Sequence, residues 1–140
     1  MMRKDKRDIF ISYSSEDKEI ADYKALIIRE KVLGMNHVDT AGSYSNIGVV
    51  YRNMGDNDKA KEFYYKTLEV FEKVLGAEHP STATVYGNIG ELYYSQGYYD
   101  SSLKYFLKAL TVFERVYGPE NKETQALREW VEDVRGKMEK

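Results

Sequence analysis

The sequence predicts an all-α repeat fold, and three observations carry that expectation. Residues 34–75 are repeated by residues 76–117 at a constant offset of 76 − 34 = 42 positions. Gly34 falls on Gly76, His37 on His79, Tyr44 on Tyr86, Asn46-Ile47-Gly48 on Asn88-Ile89-Gly90, Tyr51 on Tyr93 and Gly55 on Gly97. A fixed period of that size marks a solenoid, in which a unit buries its apolar face by stacking on its neighbours. Within each unit, large and small residues recur at helical spacing. Finally, the chain has two prolines, so long helices run uninterrupted between glycines that end them.

Taken in order, residues 1–7 are charged, and DIFISY at 8–13 alternates as a β-strand does. Ser14 or Ser15 caps the first helix, with Glu16 and Asp17 in its first turn, and Gly34 ends it after Leu33. Residues 23–34 align with 65–76, so this helix is the second (B) helix of a pair without its first (A) helix. The next A helix spans about Val38 to Met54 and turns Ala41, Tyr44, Ile47, Gly48 and Tyr51 inward. Gly48 and Gly90 each cost about 1 kcal/mol of helix propensity relative to alanine. A cost repeated at one place predicts that backbones approach closely there. The B helix runs from Asp58 to about Leu75, with Ala60, Tyr64, Thr67, Leu68 and Phe71 inward.

The second unit opens at His79-Pro80, where proline suits the first helical turn. Its A helix ends near Gln96-Gly97 and its B helix spans about Asp100 to Tyr117. A last helix, Asn121 to Met138, carries a stripe of Leu127, Trp130, Val131, Val134 and Met138. The 42-residue register puts Arg128, Glu132 and Arg135 at core positions, so this helix departs from the pattern and reads as a cap on the stack. The expected divisions are 1–14, an N-terminal segment; 15–33, an unpaired B helix; 34–75 and 76–117, the two repeats; and 118–140, the cap.

The residues carrying this pattern resemble the tetratricopeptide family: Tyr44, Ile47, Gly48, Tyr51, Gly55, Ala60, Tyr64 and Thr67, then Tyr86, Ile89, Gly90, Tyr93, Gly97, Ser102, Phe106 and Ala109. The usual repeat is shorter, about 34 residues, and the longer period with its KVLG and HP elements is similar to the kinesin light chain type. The resemblance covers roughly residues 20–135. It implies a tetratricopeptide-like superhelix and a protein-interaction module that binds a peptide or protein segment. Separately, residues 8–23 resemble the opening of a TIR domain. The rest of that domain's sheet and its nucleotide-site glutamate have no counterpart, so the segment reads as a remnant without TIR activity.

Other chemistry is sparse. With no cysteine there is no disulfide framework and no thiol nucleophile. His37 and His79 occupy equivalent inter-unit loops and read as helix-start residues rather than metal ligands. GNIGELY at 87–93 lies mid-helix and is not a dinucleotide loop. No carboxylate pair stands out as acid and base. The expectation is therefore no enzyme, no cofactor and no metal. A net charge of −2 gives no general attraction to nucleic acid or anionic membrane, and no apolar run approaches a membrane span. A cytoplasmic location fits these features.

What remains is a surface. The resemblance implies that A helices line a concave groove, placing Ser45, Asn46, Val49, Arg52 and Asn53 in it from the first, and Gly87, Asn88, Glu91, Tyr94 and Ser95 from the second. Asn46 and Asn88 recur while their neighbours vary. An amide both donates and accepts, so one per repeat can hold an extended backbone; the alternative is that these asparagines cap contacts inside the stack. Arg52 and Tyr94 would then select an acidic and an aromatic or apolar group. The dense lysine-arginine set of carboxylate-clamp members is missing. The alternative functions are self-association, as a homodimer through Ile20, Tyr23 and Ile27 on the unpaired helix, and a remnant of a TIR-containing signalling protein.

Overall fold

The computed structural model describes residues 15–34 and 37–140. It holds six helices: α1 (Ser15–Leu33), α2 (Val38–Asn53), α3 (Asn57–Val74), α4 (Pro80–Ser95), α5 (Tyr99–Tyr117) and α6 (Lys122–Met138). No strand occurs among the described residues. The β-like stretch 8–13 and the cap at Ser14 lie outside them. None of these helices is long and apolar enough to cross a membrane.

Helix starts follow local chemistry. The side chains of His37 and His79 each accept a hydrogen bond at Nδ1, from the amides of Asp39 and Ser81, both at 3.0 Å. Asn121 holds the same place one period later (79 + 42 = 121) and its Oδ1 accepts from the amides of Glu123 and Thr124. The histidines are therefore helix caps, satisfying amides that the first turn leaves without partners. The start expected at Asp58 moves back: Asp56 is the cap of α3, accepting from the Lys59 amide, while Asp58 sits in the first turn. At the equivalent point of the second unit Tyr98 offers no side-chain cap, and Asp100 supplies first-turn charge. Helix stops are punctuated every 55 − 34 = 21 residues by glycines at positive φ, from Gly34 and Gly55 through Gly76, Gly97 and Gly118.

Packing joins each A helix to its own B helix, α2 to α3 and α4 to α5, and each B helix to the next A helix. The small residues expected at the close approach are there. A methyl at Gly48 would stand 2.7 Å from the Tyr64 ring, and one at Gly90 would stand 2.9 Å from the Phe106 ring. Both rings are fully buried. Buried hydroxyls reinforce the same joints: Thr67 donates to the Ala41 carbonyl at 3.0 Å and Ser102 to the Gly90 carbonyl at 2.8 Å.

B-to-next-A contacts repeat equally closely. Glu30 accepts from the Tyr44 hydroxyl, Glu72 from Tyr86, and Glu114 from the Arg128 guanidinium, each pair 14 residues apart. Tyr23 shares a hydroxyl hydrogen bond with Tyr51. One period on, Tyr65 shares hydrogen bonds with Tyr93 and Tyr105, each at 3.0 Å. Much of the tyrosine content thus serves inter-helix space, rings packing and hydroxyls pairing at the rim.

α6 corrects the sequence reading in detail. It keeps half of the repeat rather than departing from it: Thr124, Leu127, Val131 and Val134 are buried, as are Thr40, Ser43, Ile47 and Val50, and Thr82, Val85, Ile89 and Leu92. Only the face that would meet a B helix of its own is lost, to Gln125, Arg128, Glu132 and Arg135. Met138, expected in the stripe, is 43% exposed. Trp130 lies half-buried beside the stripe rather than in it.

Candidate ligand-binding face

α2, α4 and α6 present the A-helix face, and the 42-residue register orders it in rows. One row reads Ser45, Gly87, Glu129; the next Asn46, Asn88, Trp130; the next Val49, Glu91, Asp133; then Arg52, Tyr94, Gly136; and last Asn53, Ser95, Lys137. Asn46 and Asn53 are exposed, and Ser45, Val49, Arg52, Asn88, Glu91 and Tyr94 are half-buried. Ser95 turns its hydroxyl back to the Leu92 carbonyl at 2.7 Å, on its own helix.

Two of the residues offered as selectors are engaged with their neighbours. Arg52 pairs with Glu91 at 2.9 Å, tying α2 to α4. Tyr94 donates to Asp133, tying α4 to α6 by the same step of 39 positions. Arg52 is therefore charge-compensated within the chain, which weakens its reading as a receptor for an acidic group. The hydrogen bond to Asp133, followed by burial, pushes the Tyr94 hydroxyl up to about 12, so it stays a donor at neutral pH. Below this surface, burial pushes Tyr64 up to about 12, with Arg52 pulling it down and Glu91 adding to the rise.

The asparagines differ from these selectors. Neither Asn46 nor Asn88 makes a side-chain hydrogen bond within the described residues. Asn88 borders a notch of about 210 Å³ between α4 and α6, floored by Ala83, Phe113 and Leu127. Trp130 forms one wall, stacked on Phe106 at 5.2 Å and edge-on to Tyr94 at 5.1 Å. The sequence reading placed Trp130 in the core stripe and missed this role. The signal was available, because Trp130 stands one period beyond Asn88.

On α1, Ile20 and Ile27 are 51% and 52% exposed. Tyr23 is not on the same free surface: its ring packs edge-on to Tyr51 and Phe63, within its own chain.

Comparison with known proteins settles the family. The model of the tetratricopeptide repeat matches residues 39–115, more than half of the chain. This chain belongs to the tetratricopeptide repeat family. Among solved structures it is similar to BtubC (BKLC) from P. vanneervenii, at 19% identity and a TM-score of 0.81, covering 89% of this chain and 50% of that one. It is also similar to the nearly identical TPR-like repeats of a Podosopora anserina protein named as a kinesin light chain, at 16% identity and a TM-score of 0.81, covering 91% of this chain and 61% of that one. A singly substituted form of that protein gives 16% identity and a TM-score of 0.80, over 91% and 60%. At such identities the likeness shows the shared fold. The chain spans between 50% and 61% of the length of these structures. No curated protein matches. Tetratricopeptide repeats are generally protein–protein interaction modules.

Proposed function

We propose that this tetratricopeptide chain is a cytoplasmic, non-catalytic adaptor whose A-helix face is a concave groove for an extended peptide or protein segment. The observation that supports it is the pair of unengaged amides, Asn46 and Asn88, one period apart on a face where Arg52 is tied to Glu91 and Tyr94 to Asp133. An amide in that position donates to a carbonyl and accepts from an N–H of a backbone laid across the helices. Val49 and Asn53 flank the track on α2, and Ser45 and Gly87 leave it open on the other side.

A peptide array probed with the labelled chain tests the reading. Asn46→Ala with Asn88→Ala should weaken array binding by about 1–3 kcal/mol while leaving melting nearly unchanged. A stability loss as large as the binding loss would move the asparagines into the stack interior and end the proposal.

A second reading, self-association through α1, is favoured by a specific observation. Ile28 is 61% exposed, while its equivalents Val70 and Val112 are 6% and 5% exposed. Ile20 and Ile27 stand where the repeats carry Glu62 and Lys104, and Glu69 and Thr111. We infer a symmetric homodimer burying this face. Light scattering over a concentration series decides: a monomer throughout, unchanged by Ile20→Glu with Ile27→Glu, rejects it.

A further inference from the structure

The notch between α4 and α6 has a chemistry that the rest of the A-helix face lacks. Gly87 opens it, since a methyl there would meet only Leu127 Cδ2, at 3.9 Å. In the first repeat the same position is Ser45. At about 210 Å³ the notch is larger than a water site and smaller than the ~300–1,000 Å³ of a pocket for a whole small ligand. Its size suits one side chain. Carboxylates border it: Glu91 and Glu123 line the notch, and Glu129 and Asp133 line the depression on the other side of Trp130. No lysine or arginine lines either hollow. Glu91 is neutralised by Arg52, and Asp133 accepts from Tyr94, but Glu123 and Glu129 are exposed and have no side-chain partner among the described residues.

We propose that this notch is a specificity pocket for a basic-apolar peptide segment. An aliphatic side chain enters over Phe113 and Leu127, and a neighbouring lysine or arginine lies against Trp130 between Glu123 and Glu129. An indole face attracts a cation most strongly of the aromatic side chains, and flanking carboxylates add to that attraction. Two unneutralised carboxylates disfavour an acidic segment at the same place. The pocket thus gives the groove proposed above its side-chain preference, and it rests on that reading.

Trp130 is the chain's one tryptophan, so its emission reports occupancy of the notch directly. The probes are a capped peptide of alternating leucine and lysine and its counterpart with glutamate for lysine. The leucine–lysine peptide should change the emission saturably, and the leucine–glutamate peptide should not. Gly87→Leu fills the notch with the chain's own side chain and should abolish the change. Glu123→Gln with Glu129→Gln, both exposed, should weaken the lysine peptide by about tenfold and serves as the test if Gly87→Leu fails to fold. Equal or tighter binding of the glutamate peptide overturns the basic preference but leaves the groove in place. No response to either peptide overturns the pocket, and the asparagine-dependent array signal then judges the groove separately.

Discussion

α1 and α6 stand at opposite ends of the stack, and each lacks one packing partner among the described residues. α1 has no A helix of its own, and α6 has no B helix of its own. The surfaces they leave are different. On α6 the uncovered face carries Gln125, Arg128, Glu132 and Arg135, where α4 carries Ala83, Tyr86, Gly90 and Tyr93. On α1 the uncovered side carries Ile28 and Val32, with Ile20 and Ile27 beside it, all exposed. The two ends share a register and differ in whether the free face is written for water. The self-association reading therefore attaches to α1 and not to α6, whose uncovered face is polar.

The largest test concerns the contact both ends lack. Gly90→Leu forces a side chain into the fully buried Phe106 ring, which is also stacked on Trp130. Overpacking of that kind costs about 1–3 kcal/mol, and the melting temperature should fall further than for any change at either end. An unchanged melt would mean that the A-to-B contact is not what holds the repeats together.

The second test compares the ends directly. Val134→Ala at the α6 end removes fully buried methyls and should cost about 2 kcal/mol in denaturant unfolding. Ile28→Ala at the α1 end should cost almost nothing in a dilute monomer. If Ile28→Ala is as harmful as Val134→Ala, the α1 face is covered in solution. Concentration dependence of the melt then separates a second copy from cover within the chain.

How legible these ends were follows from what fixes each residue. The helices and the close approaches at Gly48 and Gly90 could be read because a cost repeated at one register position needs a structural cause. On α6 the apolar stripe of Leu127, Val131 and Val134 was legible and is buried, but its place in the repeat was hidden because the reading tracked the positions of Tyr44 and Gly48, which face the helix's own partner. The second face, Thr40, Ser43, Ile47 and Val50, packs on the preceding unit, and its continuation through Thr124 to Val134 shows only when that face is followed by itself. The pairing of Arg52 with Glu91, and of Tyr94 with Asp133, joins residues 39 apart, a spacing that periodicity in one helix does not reveal. Only the packed geometry brings them together, and it alone turns a row of apparent selectors into a row of ties.

The smallest effect separates the ends by pH. The same B-to-next-A link is Glu30 with Tyr44 at the α1 end and Glu114 with Arg128 at the α6 end. Burial, then the hydrogen bond to Glu30, pushes the Tyr44 hydroxyl from 10.0 up to about 12. Burial and Glu72 raise Tyr86 likewise in the middle of the stack. A raised folded-state value means that the unfolded chain releases these protons first. Their contribution is whole below pH 10 and is lost as pH climbs from 10 toward 12. An arginine link has no such loss there, because the guanidinium stays charged. The melting temperature should thus fall across that alkaline window, and Tyr44→Phe should make the fall shallower. Arg128→Gln, which adds no group that titrates in this window, should leave its slope alone. At neutral pH Tyr44→Phe removes one hydrogen bond, for about 1 kcal/mol. A wild-type melt that stays flat through the window, or the same slope with and without the Tyr44 hydroxyl, would show that the link to Glu30 does not hold α1 against α2.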